Sequence, residues 1–210
     1  MPHTTDPEAV TGTVTVAGRR TPMVLSVMRC LREGLERGDR VSAGSTPRTV
    51  SLHSATDAQR AHVTFTGSDV VVTADATDDA EVTWQVRWSD PVPAETGDDV
   101  FAKEVEQLLS GRVTEWRAAA EEFWRRAGAF PGLPTGLHIY CADDDSVVVL
   151  GEPGPDGQGL FGTAAALTSF FQGRSTLLEV LESGEFGVNV SFTAFSSLLG
   201  ANLQVVCGER

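Results

Sequence analysis

Apolar and polar side chains alternate through residues 48–88: Val50 and Leu52, Val63 and Phe65, Val70 and Val72, then Val82, Trp84, Val86 and Trp88. A period of two puts each set on one face of a strand. The stretches SATDAQ, TGSD and ATDD fall between the runs and carry turn chemistry, so the pattern predicts an antiparallel meander with one buried face. The two tryptophans and two valines of the last strand bring several kcal/mol of burial, at about 1.5–3 kcal/mol per large side chain. They face either a core or a cavity.

Elsewhere the period is helical. Thr21 and Pro22 supply an N-cap and a first-turn proline, and Met23, Val24, Val27, Met28, Leu31 and Leu35 share a face before Gly38, which predicts a helix over 21–37. Asp98 or Asp99 caps a helix carrying Phe101, Val105, Leu108 and Leu109, and Trp116, Ala120, Phe123 and Trp124 continue helically to Gly128, so helices fill 98–127. After the breaker run GAFPGLPTG, residues 137–150 read as a hairpin across CADDD. A glycine-rich loop over 151–162 leads to a helix capped by Thr163 and running through Phe171. A short helix over 177–181, a strand over 185–190 and a last helix over 192–199 complete the pattern. Residues 1–20 read as a flexible arm in which Thr13 to Val16 alternate briefly, as an edge strand would. The pattern thus predicts one domain over 21–207 that combines helices with an antiparallel meander.

An internal echo bears on that organisation. Residues 108–123 (LLSGRVTEWRAAAEEF) set beside 170–186 (FFQGRSTLLEVLESGEF), with one residue inserted, share a bulky pair, Gly-Arg, a threonine two positions on and a closing Glu-Phe. Either the chain is internally duplicated or two helix-break-helix elements drew common residues independently.

Composition narrows the function classes. A chain of 210 residues with 41% hydrophobic side chains can bury a core. With 16 basic against 29 acidic residues the net charge is −13, which repels a phosphate backbone and predicts no nucleic acid partner. No apolar run approaches the roughly 20 residues that span a bilayer, and the start lacks the features of a signal peptide, so no stable membrane insertion and a cytoplasmic location are expected. Cys30, Cys141 and Cys207 are odd in number and far apart, as reduced thiols are.

The candidate chemistry is thin. GQGLFG (157–162) matches G-x-G-x-x-G, but six residues separate Leu150 from its first glycine and no βαβ unit surrounds it, so no dinucleotide cofactor is expected. Asp143, Asp144 and Asp145 are consecutive and point in different directions. Asp75, Thr77 and Asp79 start like a calcium loop but have Ala80 in place of its glycine and Val86 in place of its glutamate. His53, His62 and His138 lie on strands without HxxxH or HxH spacing, so no metal is expected. His138 beside Tyr140 and Cys141, with Glu121 or Glu122 as partner, is the one acid–base set the sequence offers.

The segment ALTSFFQGRSTLLEVLESGEFGVNV (166–190) and the helix after it resemble the C-terminal half of the sterol carrier protein type two family. The matching parts are the bulky pair in 167–171, Gly173-Arg174, the leucine-bearing 177–181, Gly184, the strand 186–190 and the apolar helix 192–199. Relative to that family, residues 98–150 are an insertion or part of a repeated unit. The resemblance implies an α+β fold, an antiparallel twisted sheet with helices packed on one face, and a hydrophobic cavity for a lipid, sterol, fatty acyl or polyketide-like molecule, lined by Trp84, Trp88, Leu167, Phe170, Phe171, Leu178, Leu181, Phe186, Val188, Phe192 and Phe195. It thus implies binding or transfer of an apolar small molecule. The alternatives are a cyclase or isomerase built on that cavity, assisted by His138 or Tyr140, and an interaction module or homodimer joined through Phe170, Phe186, Phe192 and Phe195.

Overall fold

The computed structural model describes residues 12–42, 46–67, 69–77, 79–112, 114–152 and 158–208. Where one domain over 21–207 was expected, the chain forms two compact units, Met1–Gly111 and Arg112–Arg210. The α+β class holds, but the sheets are mixed rather than purely antiparallel. Hairpins announce themselves through turns close in sequence; parallel neighbours are joined by long connections and leave no such mark.

Among its described residues the first unit is a five-stranded sheet with two helices on one face. Thr21 accepts from the Val24 amide and starts α1 (Pro22–Arg37), with the proline in the first turn. The meander forms as β2 (Arg48–Ser54), β3 (Arg60–Thr66) and β4 (Asp69–Thr73), each antiparallel to the next. Two parallel strands complete it. The edge strand β1 (Thr13–Ala17) pairs with β4, and β5 (Val82–Val86) pairs with β2, giving the order β1-β4-β3-β2-β5. The start of the N-terminal arm, 1–11, lies outside the described residues. Asp99 caps α2 (Val100–Leu109) through the Ala102 amide.

Val50, Leu52, Val63, Phe65, Val72 and Trp84 project from one face into Met23, Val27, Leu31, Phe101, Val105 and Leu108 of the helices. Phe65 and Phe101 meet edge to face at 5.6 Å. A Cβ on Gly34 would lie 2.2 Å from the Leu108 carbonyl, so glycine is what lets α1 and α2 touch backbone to backbone. Arg37 reaches from the end of α1 to the carbonyls of Gln107, Leu108 and Ser110, supplying donors that the last turn of α2 lacks.

Among its described residues the second unit has four strands and four helices. It opens with α3 (Trp116–Ala127); β6 (Gly136–Cys141) and β7 (Ser146–Gly151) are the expected hairpin. The glycine-rich stretch read as a loop contains a strand, β8 (Gly159–Gly162), parallel to β6, while 153–157 lie outside the described residues. Next come α4 (Ala164–Phe171), α5 (Leu177–Glu182), β9 (Phe186–Asn189) antiparallel to β8, and α6 (Phe192–Val206). The sheet order is β7-β6-β8-β9. Helix α6 runs seven residues past its expected end at Leu199, because Gly200 is not a stop: the Phe130 ring lies where its side chain would be. In both units a helix precedes a hairpin, a later strand joins the hairpin's first strand in parallel, and a helix follows. The two echoing Gly-Arg pairs sit between α2 and α3 and between α4 and α5.

A fully buried amide ties the helices of this unit together. Asn202 of α6 donates through Nδ2 to the carbonyls of Phe170 (3.2 Å) and Ser175 (3.1 Å), and its Oδ1 accepts from the Leu177 amide at 2.9 Å. Three backbone groups at the α4–α5 turn, out of reach of water, thus find partners on one side chain. No helix among the described residues is long and apolar enough to cross a membrane.

Replacing Asn202 with leucine keeps the branched shape but strands those groups; we expect a loss of about 3 kcal/mol or more in urea unfolding. A loss below about 1 kcal/mol would show that the clasp is dispensable.

Candidate functional site

Among the described residues each sheet has helices on one side only, so the character of its other side decides what it can do. In the second unit Leu137, Ile139, Cys141, Leu150, Leu160 and Phe186 face the helices. The alternate positions make two rows across the strands. One is Val147, Tyr140, Phe161 and Gly187; the next is Val149, His138, Gly159 and Asn189. Val147 is 58% exposed, Phe161 49%, Val149 41% and Tyr140 38%. A β-sheet face open to water ordinarily alternates to polar residues at these positions, and this one does not. Neither row contains an Asp, Glu, Lys or Arg, although the Asp145 carboxylate reaches the face at Tyr140.

The face is also shaped. A Cβ on Gly187 would fall 2.0 Å from the Phe161 ring, so that ring lies flat across β9 rather than standing off the sheet. In the second row a Cβ on Gly159 would fall 2.2 Å from the His138 carbonyl, so glycine lets these two strands approach. Beside it His138 holds a buried Nε2 with no hydrogen-bond partner. Tyr140 donates to Asp145 at 2.5 Å, a bond that pushes the phenol pKa up and keeps the ring protonated.

The hairpin tip is structural. Asp143 accepts from the Ala164 amide at the start of α4 (2.8 Å). Asp144 accepts from Ser146 and from Arg117, which together hold its pKa well below the ordinary carboxylate value. Each of the three aspartates has its own partner, and the described residues contain no group of three or more side chains fit to hold a metal. Glu122, a conceivable partner for His138, is instead engaged by Arg125 and Arg126. Cys30 and Cys141 are buried free thiols and Cys207 is half-buried.

The residues expected to line one cavity are divided between the two units. Trp84 is buried in the first core, and Trp88, past the end of β5 at Val86, is partly buried against it. Leu167, Phe170, Phe171 and Phe186 are buried in the second core, where Phe123 completes a cluster of rings with centroids 5.1–5.5 Å apart. Both members of the Phe170–Phe171 pair point inward, because Phe123 of α3 and Phe186 of β9 meet them from two sides. Leu181, Val188 and Phe195 are partly buried against that core, whereas Leu178 and Phe192 are exposed, Phe192 at 86%.

Two depressions accompany these cores. An open groove of about 410 Å³ runs along α4, lined by Thr114, Trp116, Ala165, Thr168, Gln172 and buried Arg174. Two of its polar groups serve the fold: Thr168 donates to the Ala164 carbonyl and Gln172 to that of Arg112. In the first unit a half-enclosed cleft of about 230 Å³ is lined by Leu35, Val41, Phe65, Val70, Leu108 and Arg40.

No protein family, curated protein or solved structure matches the chain.

The helix-free face of the first sheet is of the opposite kind. Thr49 and Thr64 are bonded across β2 and β3, and Ser51 Oγ lies 2.6 Å from His62 Nδ1. His62 is buried, its Nε2 has no partner, and the His53 ring meets it edge-on at 6.4 Å. A serine against an imidazole is the start of a nucleophile–base pair, but no carboxylate orients this ring among the described residues.

Burial depresses the His62 pKa, with His53 and Arg60 adding to the effect, so the neutral ring is the folded form. Its contribution to stability is full above the unfolded value of about 6.5 and is lost as pH falls from there through the lower folded value. The thermal midpoint should therefore drop between about pH 7 and about pH 5, and His62→Asn should flatten that slope. An unchanged slope in the variant would remove His62 as its cause.

Proposed function

We propose that this is a binding protein whose working surface is the uncovered face of the second unit's sheet, a docking site for an apolar protein surface. One observation carries the reading: Tyr140, Val147, Val149 and Phe161 are adjacent, large, apolar and well exposed, on a sheet whose other side already has its helix layer. Scattered exposed leucines or valines need no explanation, but a contiguous row does.

A photo-crosslinking amino acid at position 149, in the cells that make the protein, should give covalent adducts that are absent when it sits at exposed Glu121. No adduct at position 149 would end this reading.

A second reading has its own support. The cleft of the first unit joins five apolar side chains to one guanidinium, the chemistry that holds a short-chain carboxylic acid. Its 230 Å³ lies below the roughly 300–1,000 Å³ of ordinary ligand pockets, which suits a short hydrocarbon better than a sterol. The resemblance of 166–199 to sterol carrier proteins supports an apolar ligand in general; the cleft lies elsewhere in the chain. A fluorescent medium-chain fatty acid should bind wild type and lose affinity in Val41→Trp, which fills the cleft. Equal binding by both would discard the cleft as the site.

A further inference from the structure

We infer that the outer edge of β7 takes up an extended peptide as a further strand of the second sheet, and that this peptide carries apolar residues at alternate positions and basic residues at its ends. The inference rests on reading Val147 and Val149 as part of a docking surface and specifies how the partner meets them.

The first argument comes from the backbone. The sheet order β7-β6-β8-β9 leaves β7 at an edge. The Glu152 amide donates to the Thr135 carbonyl just past the end of the β6–β7 ladder, and the His138 amide donates to the Gln158 carbonyl on the β8 side. Backbone groups of a strand alternate between its two neighbours, so this register turns the amides and carbonyls of Ser146, Val148 and Leu150 toward β6 and those of Val147, Val149 and Gly151 outward. No described residue donates to or accepts from those outward groups. They recur about 6.8 Å apart, the two-residue repeat that another extended chain presents.

The second is that this edge lacks a guard. Edge strands are ordinarily kept from pairing by being short, by a charge or proline, or by a bulge. SVVVLG is six residues long, uncharged and free of proline, and its ladder with β6 runs unbroken from Ser146 to Gly151. The other edges differ. Strand β9 has four residues, β1 exposes Thr13 and Thr15, and β5 exposes Thr83 and Gln85. A strand added at β7 would set its alternate side chains beside Val147 and Val149, so apolar ones fit there.

The third is charge. Residues 142–152 contain Asp143, Asp144, Asp145 and Glu152 and no lysine or arginine. Arg117 answers Asp144, which leaves acid at both ends of the strand. A second copy of β7, in either direction, would lay acid against acid, whereas a strand with basic ends meets opposite charge at each.

A synthetic peptide of about nine residues, with valine at alternate positions, threonine between them and lysine at both ends, tests the inference on the full chain. It should bind with a dissociation constant on the order of 10–100 µM and, near saturation, slow hydrogen exchange of the Val147, Val149 and Gly151 amides by about tenfold. Of its two forms N-methylated at alternate amides, the one blocked toward β7 should bind at least about tenfold more weakly, and so should a peptide with glutamate ends. Val149→Pro should weaken binding as much with the far-ultraviolet circular dichroism unchanged, because the amide it removes serves no bond to β6. Val147→Lys, which keeps every amide and adds a charge to the edge, should weaken it too. Failure to bind at about 1 mM overturns the inference, as do bound peptide that leaves those amides unprotected and equal binding of lysine-ended and glutamate-ended peptides. Protection of the same amides by self-association of the chain overturns it in favour of a second copy. Any of these results together with position-149 crosslinks to another protein leaves the docking reading standing; absence of every crosslink removes both.

Discussion

A β-sheet has two faces, and each unit of this protein has helices for only one. The constraint is severe, because a bare face must either be made polar or meet something. The two units resolve it in opposite ways. In the first, Thr49, Ser51, His53, His62 and Thr64 cover the face with hydroxyls and imidazoles bonded to one another across the strands. In the second the corresponding positions are Val147, Val149, Tyr140 and Phe161, with His138 the one basic side chain in the two rows. The same layered plan thus yields one polar face and one apolar face.

What allows the second unit to leave a face bare is the solidity of the other side. Phe123, Phe170, Phe171 and Phe186 make a ring cluster between sheet and helices, and such contacts add about 0.5–1.5 kcal/mol per pair to ordinary burial. Asn202 then fixes α6 against the α4–α5 turn, and Thr176 with Glu179 closes the start of α5 as a reciprocal cap. None of these groups draws on the exposed row. Phe161 and Val149 are therefore free to answer to something other than folding.

The legible parts of the fold were those whose signal is local. Alternation at Val50/Leu52, Val63/Phe65 and Val70/Val72 marked strands that formed within a residue or two, and Thr21, Asp99 and Thr163 capped the helices they were read to cap. Strand β8 was hidden because two of its four residues are glycines and its support comes from β6 and β9, distant in sequence. The candidate face was hidden for another reason. In SVVVLG both alternating sets are apolar, Val147 and Val149 as much as Val148 and Leu150, so periodicity could not say which looks outward. Only the placement of the helices decides it. Trp84 and Trp88, four apart in an alternating run, read as one stripe until the strand proved to stop at Val86.

Arg37 has a consequence of a mechanical kind. Its guanidinium grips the carbonyls of Gln107, Leu108 and Ser110, the last stretch of chain before the first unit ends at Gly111. Tension arriving along the backbone from the residues that follow would reach this grip before it reached the hydrogen-bond ladder of α2. A helix end that would otherwise unravel under load is moored to its neighbour, and the first unit is protected from being unzipped at its exit.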